Sequence, residues 1–198
     1  MPESSTRVLQ YGLGPIGRAA ARHVALHPDT ELVGAVDVDP GLVGHPVGEL
    51  VGASEVTVPV REDATEALAE RDPDVVLHTT TSHLPEVTDQ IARCVRADAH
   101  VVSSTEELLF PYDRHPELTE QLDDLARRFG VVVVGTGVNP GFVMDTLALT
   151  ATGVCTEVAH VRARRVVDAG ERRGPLQETI GAGLSRSAFR QLRDEGRI

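Results

Sequence analysis

A glycine turn near the start of the chain restricts its fold more than any other feature. Residues 8–11 are a short apolar run, Gly12-Leu13-Gly14-Pro15-Ile16-Gly17 follows at once, and residues 16–26 place apolar side chains at helical spacing. Strand, turn and helix in that order are the context in which a G-x-G-x-x-G pattern carries weight. Gly12 permits the tight turn, Gly14 lets a pyrophosphate approach the backbone, and Gly17 lets helix and strand pack closely. Pro15 and Ile16 complete the turn, and a phosphate beside it faces a helix N-terminus, whose unpaired N–H groups and dipole favour negative charge. Asp37 ends a second strand pattern about twenty residues beyond Gly17, where a carboxylate accepts hydrogen bonds from an adenosine ribose. No Arg follows Asp37 closely, the next being Arg61, so a 2′-phosphate would lack a cationic clamp and meet a carboxylate. The expected cofactor is NAD or NADP, with NAD favoured. The competing reading is a plain glycine turn with Asp37 as a loop carboxylate.

Further Val-rich runs of strand length lie at 31–37, 55–60, 74–79, 100–104 and 131–135, with helix-like stretches at 62–70, 85–96 and 117–128 between them. Strands that are apolar on successive residues and alternate with amphipathic helices predict a parallel sheet covered on both faces. The expected class is therefore α/β, a Rossmann-type doubly wound parallel sheet. Residues 140–152 predict another helix, with Pro140 near its first turn, and 157–168 alternates apolar and polar residues as a half-exposed strand does. That change of pattern divides the chain into a dinucleotide-binding domain at 1–140 and a partial α+β substrate or dimerisation domain at 141–198. The remainder is small for an independent core, so an incomplete second domain is expected.

Composition narrows the function. With 41% hydrophobic and 25% charged residues in 198, the chain is an ordinary globular sequence. No run of roughly 18 uncharged apolar residues predicts a membrane span, and no basic segment followed by a small-residue cleavage site predicts secretion, so the cytoplasm is the expected location. Cys94 and Cys155 are too few for a disulfide framework or a thiolate metal site, and both are expected as buried small hydrophobes; no metal is expected. A net charge of −11 and the absence of Trp disfavour nucleic acid as a partner. All 19 basic residues are Arg, which fits either a salt-adapted source or an Arg-favouring genome, and lysine chemistry is excluded.

In doubly wound folds the carboxyl ends of the strands border the ligand crevice. After the fourth predicted strand stands His78-Thr79-Thr80-Thr81-Ser82-His83, where Thr79, Thr80 and Ser82 either flank the nicotinamide ribose or cap the next helix. After the fifth stands Ser103-Ser104-Thr105-Glu106-Glu107. A Glu at that edge either binds a cationic substrate and moves protons, or serves a capping box. After the sixth, Gly135-Thr136-Gly137-Val138-Asn139-Pro140-Gly141 is a second glycine-rich turn. Asn139 offers an amide and Pro140-Gly141 a close backbone approach, although turn chemistry accounts for the segment equally.

The segments QYGLGPIGR, ELVGAVDVDP, SSTEELLFP, GTGVNPGFVMD, RVVDAGERRGPLQ and IGAGL together resemble the 2,4-diaminopentanoate dehydrogenases and native amine dehydrogenases. These belong to the group whose amino-terminal domain is similar to that of dihydrodipicolinate reductase. The resemblance implies NAD(P)-dependent oxidative deamination of an amine, or reductive amination of a ketone with ammonia. It also implies a homodimer in the full-length form and a catalytic Glu just beyond the fifth strand, matched by Glu106 with Glu107 as its neighbour. Dihydrodipicolinate reductase itself is a poorer match, because its catalytic segment carries paired His and a Lys. An imine or carbonyl reductase of that kind, and a non-catalytic dinucleotide-binding module, are the alternative functions. Relatives of this kind continue well past the end of the present chain, which again predicts an incomplete substrate domain.

Overall fold

The computed structural model describes residues 5–171 and 174–196. β1 (Thr6–Tyr11) leads through the glycine turn into α1 (Pro15–Leu26), and β2 (Thr30–Val36) follows. After α2 (Val47–Val51) come β3 (Val60–Arg61), α3 (Ala64–Arg71), β4 (Val75–His78), α4 (Leu84–Arg96) and β5 (His100–Ser103). A 3₁₀ turn (Glu106–Leu108), α5 (Pro116–Phe129) and β6 (Val133–Gly135) complete the sheet. The strand order is β3-β2-β1-β4-β5-β6 and every neighbouring pair is parallel. The expected doubly wound sheet is therefore present, and its order reverses between β1 and β4, the point where such folds bind ligands.

Each face of the sheet has its own core. Leu9, Val36, Val76 and Val101 pack with Leu84, Val87, Ile91 and Val95 of α4 on one side, and Val8, Leu32, Ala35 and Val60 pack with Ala21 and Val24 of α1 on the other. Alternation along the strands sends successive side chains to opposite faces, and the three-to-four spacing in α4 lines one stripe. Complete burial of a Leu or Ile contributes about 1.5–3 kcal/mol relative to exposure. α3 opens on Asp63, whose side chain accepts the N–H groups of Thr65 at 2.7 Å and Glu66 at 3.1 Å.

Four expectations differ from the structure. The strand expected at 55–60 shrinks to β3, because Val56 and Val58 give their carbonyls to the Gly48 and Val47 N–H groups at the start of α2, an element the sequence did not announce. The helix expected at 140–152 begins as a π-helical turn (Phe142–Thr146) before α6 (Leu147–Ala151), since Gly141 with φ +130° sets wide i→i+5 bonding such as Phe142 N–H to Gly137 O at 2.9 Å. Residues 157–168 form no strand: alternation yields one only when a neighbour takes the backbone groups, and no described segment pairs with them. Cys94 is buried as expected, whereas Cys155 is exposed on the extended segment after residues 152–154.

The chain divides into two compact units, Met1–Thr156 and Glu157–Ile198. Within the second, α7 (Gly174–Thr179) and α8 (Arg186–Asp194) are the α-helices among the described residues, and Ser185 caps α8 by accepting the Ala188 N–H at 3.3 Å. Arg172 and Arg173 of the RVVDAGERRGPLQ segment, and Arg197 and Ile198, lie outside the described residues. Among the described residues no helix is long and apolar enough to cross a membrane.

Candidate functional site

The glycine turn is held by its neighbours on both sides of the switch point. Gly12 has φ +92°, and a Cβ there would stand 2.7 Å from the Thr79 carbonyl oxygen; a Cβ on Gly17 would collide with the Gly12 carbonyl oxygen. Around Gly14 nothing lies within 4 Å of a Cβ, so the turn is open on the side that faces a ligand. The Gly12 carbonyl accepts Gln10 Nε2 at 2.9 Å and Thr79 Oγ1 at 2.9 Å, and Gln10 Nε2 also reaches Thr79 Oγ1 at 2.8 Å. α1 begins on Gly14 without any side-chain cap, with Pro15 in its first turn, and Ile16 beside it is exposed. That leaves its leading N–H groups for an anion. Open space at Gly14, an uncapped helix start and a fixed turn together fit a pyrophosphate.

Asp37 is bound into the same unit. Its Oδ2 accepts the Leu13 N–H at 2.5 Å and its Oδ1 accepts the Asp39 N–H at 2.9 Å, leaving a further lone pair on each oxygen for ribose hydroxyls. Arg18 folds back to donate from Nε to the Leu13 carbonyl at 2.8 Å. Arg61 is distant in sequence, yet β2 and β3 pair Val36 with Arg61, and the Asp37 N–H donates to the Arg61 carbonyl at 3.0 Å. Its guanidinium is taken by Glu70 on α3, with Nη2 2.9 Å from Oε2.

The residues after β4 divide into roles the sequence left open. The Thr79 hydroxyl faces the turn, and that of the exposed Thr80 donates to Gln90 Oε1 at 2.9 Å, while Ser82 lends its carbonyl to the Glu107 N–H at 3.2 Å. Beneath them His78 is buried, its Nε2 2.8 Å from Gln90 Oε1 and its Nδ1 3.0 Å from Ser103 Oγ. Burial holds this imidazole below its ordinary pKa, with the Gln90 hydrogen bond opposing, so the ring is neutral near pH 7. The Ser103 hydroxyl donates to Thr105 Oγ1 at 3.0 Å and accepts the Thr105 N–H at 3.1 Å. Thr105 continues the chain, donating its hydroxyl to the Thr81 carbonyl at 2.9 Å. Gln10, His78 and Ser103 interrupt otherwise apolar strands, which is the one sequence signal that marked these supports.

The two glutamates after β5 are unlike. Glu107 has an 11% exposed side chain and joins two helix starts: it accepts the Leu84 N–H of α4 at 2.9 Å and His115 Nε2, at the head of α5, at 2.9 Å. Arg114 Nη1 adds an ion pair at 2.9 Å. Burial would raise its pKa, but the Leu84 N–H, the two histidines His115 and His83 and the Arg114 charge outweigh it and hold the carboxyl below its ordinary range. Glu106 is exposed at the carboxyl edge, and its side chain makes no hydrogen bond or ion pair among the described residues. The last turn carries an exposed Asn139 joined to Pro140 by a cis peptide, and Asp145 Oδ2 accepts the Gly141 N–H at 2.8 Å. Thus the Gly12–Gly17 turn, Asp37, Thr79 and, through backbone, Arg61 form one connected group, and Ser82 and Glu107 another.

Residues 6–136 match the family model described as dihydrodipicolinate reductase, N-terminus. The 2,4-diaminopentanoate dehydrogenase of Acetoanaerobium sticklandii is 33% identical over 202 residues, covering 97% of this chain and 55% of that protein. An amine dehydrogenase of Streptomyces virginiae is 29% identical over 164 residues, 80% of this chain and 45% of its own length. Among solved structures, the amine dehydrogenase from Mycobacterium smegmatis aligns with a TM-score of 0.69 and 30% identity over 76% of this chain and 45% of that one. The chain spans about half the length of the curated relatives it matches.

Proposed function

The chain belongs to the family defined by the dihydrodipicolinate reductase N-terminus, and from that membership we propose that it is the nucleotide-binding part of an NAD(P)-dependent oxidoreductase acting on the CH–NH2 group of an amine or diamino acid. The full protein would release or incorporate ammonia and work as a homodimer. Residues 1–140 form the dinucleotide-binding domain in this reading, and 141–198 belong to the part that receives substrate.

The observation that carries the reading is the joint between Asp37 and the open glycine turn through the Leu13 N–H. Gly12, Gly14, Pro15, Ile16 and Gly17 would receive the pyrophosphate, the α1 start supplying N–H donors. Asp37 would hold the adenosine ribose, and a carboxylate there disfavours a 2′-phosphate, so NAD is the preferred form. Thr80, Ser82, Asn139 and Pro140 border the nicotinamide side, with Thr79 fixing the turn. A bound nicotinamide would supply the hydride acceptor or donor.

Glu106 is the residue of the pair that is free to act. Its carboxylate holds an ammonium group by a charge-assisted hydrogen bond, and accepts or returns a proton at a carboxylate oxygen. Glu107 is committed to the two helix starts and keeps the segment that presents Glu106 in place. Fluorescence titration with NADH, repeated on Asp37→Ala, tests the nucleotide site. Micromolar binding weakened by the substitution is expected, and failure of the chain to bind either NADH or NADPH would overturn the proposal.

A further inference from the structure

Arg61 is the nearest cation to the end of β2 that the sheet itself delivers. Its backbone lies one strand spacing, about 4.8 Å, from that end, and its carbonyl takes the Asp37 N–H. An arginine beside the carboxylate that meets the adenosine ribose is the residue type that clamps a 2′-phosphate, since its planar fork matches phosphate oxygens. The fork is turned elsewhere: both Glu70 oxygens lie within reach of Nη2, at 2.9 and 3.3 Å. The Arg61 Nε is buried and has no hydrogen-bond partner among the described residues, so the guanidinium keeps an unused donor while its charge is matched by Glu70.

Resting on the nucleotide reading above, we infer that Glu70 is a specificity-determining residue: by pairing with Arg61 on the α3 side of the sheet and cancelling its charge, it denies the carboxylates of Asp37 and Asp39 at the ribose end the Arg61 cation and so disfavours the 2′-phosphorylated nucleotide. Glu70 never touches the nucleotide in this scheme. It acts by withdrawing a cation that the fold has already brought alongside Asp37. The Arg61–Glu70 pair is partly exposed, with side chains 41% and 45% accessible, so it contributes little to stability and is a weak restraint that a single substitution releases.

The test is a titration of the whole chain with NADPH and with NADH, for the parent, Glu70→Ala and Glu70→Ala/Arg61→Met. Released Arg61 is expected to lower the NADPH Kd by roughly three- to tenfold, the scale of one exposed charge contact, with the NADH Kd changed less than about twofold. The gain should vanish in the double variant and shrink at high salt. If the parent binds NADH but Glu70→Ala leaves the ratio of the two affinities unchanged, or Arg61→Met fails to cancel the gain, Glu70 does not set specificity. If the parent binds neither nucleotide, the underlying site assignment fails and this inference with it.

Discussion

Asp37 Oδ2 and the Leu13 N–H are joined at 2.5 Å, so the end of β2 and the turn after β1 move as one body. Asp37→Asn keeps the shape of the side chain but removes the charge from a hydrogen bond that is charge-assisted in the parent. A hydrogen bond to a charged group contributes about 1.5–3 kcal/mol against 0.5–1.5 for a neutral one. The expected result is a thermal midpoint lowered by a few degrees and a roughly tenfold weaker NADH Kd, since the hydrogen bonds to the ribose hydroxyls lose the same charge assistance. An unchanged Kd would remove Asp37 from the ribose site.

Gly17 has no room for a side chain, because a Cβ would meet the Gly12 carbonyl oxygen and the Thr79 hydroxyl. Gly17→Ala should therefore destabilise the first unit by several kcal/mol or prevent folding. Gly14→Ala, built into open space, should fold normally and lose nucleotide affinity instead. Circular dichroism melts of the two variants separate the outcomes, and equal stability would contradict the packing described.

Glu106→Gln and Glu107→Gln should separate cleanly. The first is expected to leave the melting curve unchanged and, in a full-length enzyme, to depress ammonia-dependent NADH oxidation. The second removes an acceptor shared by α4 and α5 and should cost about 1–2 kcal/mol, a figure kept low because Arg114 and His83 are solvent-exposed. Because the folded pKa of Glu107 is depressed, its contribution is present above the ordinary glutamate value of about 4.3 and is lost as the pH falls below it. The parent should thus lose more stability than Glu107→Gln on acidification through that window.

His78 provides a second pH signature in a different range. Its folded pKa is lowered by burial, so the unfolded chain binds a proton that the folded chain refuses. Stability from the neutral ring is complete above about pH 6.5 and declines as the pH falls through that value. Thermal melts between about pH 7.5 and 5.5 should show the decline, and His78→Gln, whatever its absolute stability, should lose that part of the slope.

The thiols should react unequally. Cys94 is buried, donates to the Gln90 carbonyl at 3.2 Å, and burial pushes its pKa up to about 12, whereas Cys155 is exposed. A disulfide reagent at neutral pH should label Cys155 rapidly and Cys94 only after unfolding. Rapid labelling of both in the native protein would show that the α4 face opens.

The sheet was legible because its strands are local, Val-rich and separated by amphipathic helices, and the turn because glycines at 12 and 17 are demanded by sterics. The strand pattern at 157–168 misled because periodicity describes one chain segment and says nothing of a partner for its backbone. Arg61 was hidden for the opposite reason: sequence distance from Asp37 gave no hint that parallel pairing places the two side by side. Glu106 and Glu107 are chemically identical in sequence, and only Leu84, Arg114 and His115 around Glu107 distinguish them.

The Gly12 carbonyl, held from β1 by Gln10 and from β4 by Thr79, also governs the time course of recognition. A turn held from both strands has fewer conformations to search before a phosphate arrives. Encounter and capture then merge into one bimolecular step, whose observed rate rises in proportion to ligand concentration without a plateau. Residence time, and not a preceding rearrangement, is what separates a good ligand from a poor one at this turn.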